Sequence, residues 1–472
     1  MIAAALIVLF HVMGALSSIH SIMSTRTSQG AVAWAVSLNT FPYLAVPAYW
    51  VFGRSKFEGY VVARRNKDVT NDPIEQEVIR SATPFIALDA ERAEAVRAGE
   101  ALAGMPALKG NRVDLLVDGD ATFDSIFRGI DEAREYVLVQ FYIIHDDGLG
   151  RALKDRLIAK AKQGVRVYLL YDEIGSHSLP ESYKRELREA GAEVREFNTR
   201  KGRRNRFQLN FRNHRKIVIT DGRVAWIGGH NVGDEYLGKD PKFGHWRDTH
   251  VRIEGPAVLK AQISFSEDWY WATDTLPDFD WTAKAAPDGS DARVLIIPTG
   301  PADELESANL MFVHAIHSAQ KRIWIASPYF VPEHAVIVAL QIAGLRGVDV
   351  RILIPDEPDH LAVYLAAYSY FDDAGKTGAK FYRYQDGFLH EKAMLIDDEI
   401  ATVGTANFDN RSFRLNFEVT AVVGDPTFVS AVEKMFEADF ERSRQMRPGE
   451  YDEKPWYFRF GVRTARLMAP IL

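Results

Sequence analysis

Cysteine is missing from all 472 residues, which excludes disulfides, thiolate metal sites and a cysteine nucleophile. Charge is missing from the front of the chain. Residues 1–25 contain no Asp, Glu, Lys or Arg, residues 27–53 contain none, and Arg26 stands alone between them. Each stretch exceeds the roughly 20 residues that cross a bilayer as helix. The first lacks the basic start of a secretory signal, and a second apolar run follows at once. Pro42 and Pro47 make that second run kinked or re-entrant, while Trp34, Tyr43, Tyr49 and Trp50 suit interfacial positions. Residues 1–53 are therefore expected to form an anchoring hairpin of two transmembrane or re-entrant helices, with a partly inserted monotopic hairpin as the alternative. A mean hydropathy of -0.17 excludes a chain embedded mostly in lipid. No Walker-type loop is present, so no nucleotide-driven chemistry is expected.

What is present begins with a basic collar. Residues 54–67 (RSKFEGYVVARRNK) carry Arg54, Lys56, Arg64, Arg65 and Lys67 against Glu58 alone, so by the positive-inside rule the rest of the chain is expected on the cytoplasmic face. Residues 54–110 are assigned to this collar and a polar, alanine-rich linker. The whole chain has a net charge of -7, which argues against a nucleic-acid partner. Within that acidic protein, residues 201–216 hold seven Lys/Arg and no acid, as a collar for anionic headgroups would.

From residue 111 onward, strand-like and helix-like segments alternate. Residues 136–144 (YVLVQFYII) and 165–171 (VRVYLLY) flank a helical stretch, and residues 322–330 and 348–354 repeat the arrangement. This reads as an α/β fold of mostly parallel sheets, in two lobes (111–285 and 286–448) divided by a linker over 274–290 and followed by an amphipathic tail (449–472). One copy reads NHRKIVITDGRVAWIGGHN and the other LHEKAMLIDDEIATVGTAN. From His214 and from His390, a lysine follows at +2 (Lys216, Lys392), an aspartate at +7 (Asp221, Asp397), a glycine at +14 and an asparagine at +17 (Asn231, Asn407).

Residues i and i+2 of a strand face the same side, so each His–Lys pair points together while Arg215 and Glu391 point away. If the repeats pack about a pseudo-twofold axis, two imidazoles and two ammoniums converge on one cleft. Two lysines supply the charge for a phosphate and its transition state, and no metal or cofactor is required. One imidazole attacks phosphorus while the other protonates the leaving oxygen. Each needs a carboxylate on its other nitrogen, for which Asp248 and Glu418 are the candidates. Asn231 and Asn407 are expected to donate to the phosphate oxygens. Asp221 and Asp397 complete the expected catalytic motif, with the strand ends suggesting that they hold the lobes together or anchor the site loops.

The duplicated His-x-Lys-x4-Asp motif resembles the phospholipase D superfamily. FYIIHDDGLGRAL, AKQGVRVYLLYDEIGS, HWRDTHVRIEGPAV, SPYFVP, GTANFDNRSFRLNFE and the front end FPYLAVPAYWVFGRSKFEGY look like the bacterial cardiolipin synthase family. That resemblance implies a two-lobed fold with one shared active site in the bacterial inner membrane. It further implies joining of two phosphatidylglycerols into cardiolipin with release of glycerol, through a phosphatidyl-histidine on His214 by family habit. Anionic phospholipids and the bilayer are the implied partners. A phospholipase D-type hydrolase, a transferase taking phosphatidylethanolamine as donor and a membrane-anchored scaffold are the alternatives. The sequence carries no reading of oligomeric state.

Overall fold

The computed structural model describes residues 1–25, 27–53, 57, 60, 73–87, 93–201, 210–357 and 359–471. Most of the basic collar (Arg54, Lys56, Arg64, Arg65 and Lys67) and residues 202–209 of the basic loop lie outside the described residues.

The front end folds as three helices, α1 (Ile2–Ser24), α2 (Ser28–Thr40) and α3 (Pro42–Phe52). Among the described residues α1 is the one helix long and apolar enough to cross a membrane. The second apolar stretch does not continue as one rod. It breaks at Phe41, whose backbone leaves the helical region (φ −139°, ψ 59°), because Pro42 has no N–H to carry the helix through. The helices close on each other through small and polar contacts. Gly14 lets the Leu38 carbonyl approach, and a Cβ there would lie 2.2 Å from it. Asn39 Nδ2 donates to Ser18 Oγ (2.7 Å) and Trp50 Nε1 to Ser17 Oγ (3.1 Å). The outward residues of α1, such as Leu6, Leu9, Leu16 and Ile19, stay exposed.

Two-residue bridges apart, the first half of the body contributes β1 (Leu108–Val117), β2 (Tyr136–Phe141), β3 (Arg166–Asp172), β4 (Glu193–Phe197), β5 (Ile217–Thr220), β6 (Val224–Gly228) and β7 (Thr249–Glu254). The second contributes β8 (Ala292–Thr299), β9 (Arg322–Ala326), β10 (Asp349–Pro355), β11 (Lys380–Tyr384), β12 (Ala393–Ile396), β13 (Ile400–Gly404), β14 (Asn416–Gly424) and the short β15 (Ser443–Gln445). The first half runs β4-β3-β2-β5-β6-β7-β1 from its outer edge inward; the second, inside β15, runs β11-β10-β9-β12-β13-β14-β8. The two orders are the same, strand for strand, and meet at the antiparallel β1–β8 seam. Parallel pairing, as expected, joins the strand–helix–strand units β2-β3-β4 and β9-β10-β11. The hairpins β5-β6 and β12-β13 and their neighbours pair antiparallel, so each half is a mixed sheet.

Alternation along the hairpin strands sorts side chains into layers. Ile217 and Ile219 of β5, with Ala393 and Leu395 of β12, enter a central core built from both halves. Val218 packs into an outer core under the first-half helices, and Met394 and Ile396 into one under the second-half helices. The irregular crossing at 275–291 is tied down by buried Phe279 and Trp281.

Candidate active site

The segments ahead of the two histidines do not stay in their own halves. Arg212–Asn213 pairs parallel with Asn416–Phe417, and the His214 N–H donates to the Phe417 carbonyl (2.9 Å). Reciprocally, Phe388–Leu389 pairs parallel with Trp246–Arg247, and the His390 N–H donates to the Arg247 carbonyl (2.8 Å). Each histidine is thereby carried to the carboxylate of the other half. His214 Nδ1 lies 3.0 Å from both oxygens of Glu418, and His390 Nδ1 lies 2.7 Å from Asp248 Oδ2. A carboxylate only accepts, so it makes Nδ1 the protonated nitrogen and leaves the lone pair on Nε2. Lys392 Nζ is 2.9 Å from the same His390 Nδ1, where an ammonium could only donate; the closer carboxylate at 2.7 Å takes precedence and keeps the proton on Nδ1. Both lysines donate to their own histidine's carbonyl, Lys392 to that of His390 and Lys216 to that of His214 (2.7 Å for the latter).

The four groups are buried together. His214 and His390 are each 8% exposed, Lys216 0% and Lys392 5%. Burial, opposed by Glu418 and reinforced by Lys216, pushes the His214 imidazole down to about 4. Burial and the two lysines hold His390 well below its ordinary value. Burial, opposed by Glu418 and reinforced by Lys392, brings Lys216 down to about 7; burial, opposed by Asp248 and Glu418, brings Lys392 to about 8. Near neutral pH the site therefore favours neutral imidazoles beside two ammoniums that part with protons easily, a balance that a bound anion would shift toward the charged lysines. The Tyr142 ring meets His214 edge-on with centroids 5.0 Å apart, and Trp246 lies 5.1 Å from His390.

Glu418 is the more elaborately held acid. It accepts from Ser412 Oγ (2.9 Å), Asn416 Nδ2 (3.1 Å) and Thr405 Oγ1 (2.6 Å). Burial alone would raise its carboxyl, but His214 and Lys216 keep it below the usual range. Asp248 instead receives its own chain's Thr249 N–H at 2.8 Å. A Cβ on Gly229 would stand 2.0 Å from Asp248 Oδ1, so glycine is required there, where the other half has Thr405. The residues between each histidine and lysine turn toward the central core. Arg215 Nη1 meets both oxygens of Asp268 (2.9 Å). Glu391 pairs with Arg247 at 2.7 Å without hydrogen-bond geometry, and Arg247 also grips Asp439 with two bonds of 2.8 Å.

The remaining expected residues divide. Asp221 and Asp397 do not belong to the catalytic cluster. Each sits in a left-handed turn (φ 51° and 50°) at the far end of its strand, roughly 16 Å beyond the lysine by strand rise. Asp221 accepts the N–H groups of Arg134, Glu135 and Tyr136 (2.8–2.9 Å), and Asp397 those of Gln320, Lys321 and Arg322 (2.7–2.9 Å for the closest oxygen). Neither bridges the halves; each fixes the start of an adjoining strand in its own. Asn231 gives one of its two amide hydrogens to the Tyr236 hydroxyl (3.1 Å) and takes the Ile143 N–H on Oδ1 (3.2 Å), which leaves one N–H for another acceptor. Asn407 is buried with Oδ1 unpartnered among the described residues. Ser412, Thr405, Asn416, Arg247 and Asp439 escaped sequence reasoning, since the repeat gives them no matching partner in the other copy.

A family model described as "Cardiolipin synthase, PLD-like domain" matches residues 126–269 and 312–440. The chain is 50% identical over 472 residues to cardiolipin synthase A of Pseudomonas fluorescens, covering 99% of this chain and 98% of that one. It is 49% identical over 470 residues to cardiolipin synthase A of Pseudomonas putida, covering 98% and 97%. Among solved structures, phosphatidylserine synthase of Haemophilus influenzae shares the fold at a TM-score of 0.60 and 16% identity, over 80% of this chain and 100% of that one. Polyphosphate kinase of Porphyromonas gingivalis does so at 0.50 and 13%, over 75% and 53%.

Proposed function

Because this chain belongs to the cardiolipin synthase family of phospholipase D-like enzymes, we propose that it joins two phosphatidylglycerols into cardiolipin and glycerol. The observation that carries the reading is the exchange of acids between halves, which leaves two imidazole Nε2 atoms as the available bases of one buried cleft.

His214 Nε2 attacks the phosphorus of the first phosphatidylglycerol. The bond from phosphorus to the headgroup glycerol breaks, and His390 Nε2–H gives its proton to the departing oxygen. Burial and the two lysines favour neutral His390, so this donor forms when the substrate's negative phosphate enters and offsets the lysines. Neutral His390 then takes the proton of a terminal hydroxyl on the second phosphatidylglycerol. That oxygen attacks phosphorus, the P–N bond breaks, and cardiolipin leaves. Lys216 and Lys392 hold the phosphoryl oxygens throughout. One phosphodiester replaces another, so the step needs no external energy source. The near-complete burial of the site disfavours water as the second nucleophile and supports transfer over hydrolysis. The assignment of His214 as nucleophile is supported by the three side chains that fix Glu418 behind it.

The helices at 2–52 support a membrane-anchored enzyme; the basic residues after them favour a body on the cytoplasmic face, in two lobes read as 111–285 and 286–448. The test is acid-free trapping with phosphatidylglycerol labelled at phosphorus. Label recovered on His214 is expected. Label on His390 reverses the two roles, and free phosphatidate as the main product replaces transfer by hydrolysis.

A further inference from the structure

The C-terminal helix Trp456–Arg466 is amphipathic in a direction that the body does not use. Val462, Ala465 and Ala469 pack inward, while Trp456 (73% exposed), Tyr457 (65%), Phe460 (68%) and Leu467 (81%) stand in the open. Arg459 and Arg463 are exposed among them. Bulky aromatics beside arginines are the composition of a helix that lies in a bilayer interface.

Its position makes the same point independently. The tail after the helix is fastened to the short helix Asn410–Arg414, where Asn410 Nδ2 donates to the Ala469 carbonyl (3.0 Å). Arg411 of that short helix donates to the Asn210 carbonyl (2.7 Å), and Asn210 Nδ2 donates to the carbonyl of Phe52, the last residue of α3 (3.2 Å). Just beyond α3, Phe57 and Tyr60 are buried against Phe417, the residue before Glu418. The C-terminal tail thus meets this five-residue helix directly, and the end of the anchor reaches it through Asn210; its Ser412 holds Glu418.

We infer that the helix Trp456–Arg466 is a second, monotopic contact with the anionic bilayer, set beside the anchor so that the two flank the mouth of the site. The inference rests on the reading of residues 2–52 as a membrane anchor. Continuity with that anchor and the exposed arginines select a lipid surface as the occupant of this face.

The absence of native cysteines supplies the experiment. Full-length protein carrying Phe460→Cys, Leu16→Cys or Glu189→Cys is labelled with an environment-sensitive fluorophore. It is then placed in vesicles of phosphatidylglycerol and brominated phosphatidylcholine. Quenching of about twofold or more is expected at Phe460→Cys and at Leu16→Cys, with little at Glu189→Cys. Quenching at Leu16→Cys alone overturns the second contact and keeps the anchor. Quenching at Phe460→Cys alone keeps the contact and overturns the anchor. Absence at both overturns both, and equal quenching at Glu189→Cys overturns the localised contact.

Discussion

Glu418 and Asp221 are both carboxylates that accept several hydrogen bonds, yet only one of them touches a histidine. Their amide variants should therefore fail in opposite ways. Glu418→Gln keeps the shape but no longer favours the Nδ1 tautomer, and cardiolipin formation should fall between about 100- and 10,000-fold, far beyond what any loss of stability from its weakened bonds accounts for. Asp248→Asn should behave alike through His390. Asp221→Asn keeps the left-handed turn, which asparagine tolerates, but weakens three backbone bonds. Its thermal unfolding should move down by the equivalent of about 1–3 kcal/mol while kcat stays within about twofold. Parallel melting curves and rates decide it; equal losses of activity in the two variants would return Asp221 to the catalytic cluster. The histidines and lysines were legible because their offsets recur and because strand alternation fixes which of them share a face. The role of Asp221 was not, since the motif shows the spacing and hides the turn that sends the side chain to a different partner.

At the level of elements, the buried charges behind the site bind the halves unequally. Arg247, on the strand that receives Phe388–Leu389, faces Asp439, Glu391 and Asp118. Burial raises both the Glu391 and Asp439 carboxyls, so these acids tolerate their position only with the guanidinium between them. Arg247→Met should cost about 3–5 kcal/mol at neutral pH, and part of that should return as the pH drops and the carboxyls take up protons. Arg215→Met should cost less, because Asp268 retains donors from Gln140 (2.7 Å), Asn213 (2.9 Å) and Tyr60 (3.0 Å). Denaturant titrations of the two variants at two pH values test the order; a larger loss for Arg215→Met would contradict it. The alternation of strands and helices was legible from apolar runs and glycine stops. The antiparallel hairpins were not expected, because each strand is only four or five residues long and buried on both faces, which leaves no period-two pattern to read. The break at Phe41 was legible in Pro42.

For the molecule as a whole, the decisive quantity is the positive charge that two halves bring to one place. Lys216 near 7 and Lys392 near 8 lose protons as pH rises, so kcat/KM should fall through about pH 7–8. The proton that His390 must gain on binding pulls the same way, since it is harder to supply as pH rises, while protonation of His214 near 4 removes the nucleophile on the acid side. The alkaline limb of kcat should lie higher, because a bound phosphate stabilises both ammoniums. Rates on vesicles across this range check it, and an alkaline limb identical in kcat and kcat/KM would count against lysine as its origin. The repeat made a shared cleft foreseeable. Which acid serves which histidine was not, since that depends on how two sheets cross and not on any interval along the chain.

The exchange of acids has one more consequence. A ribosome that stops between the halves releases a polypeptide whose imidazole has no orienting partner, so the membrane around it is safe from an unfinished enzyme. Competence to cut a lipid arrives only with the last strand that completes both pairs.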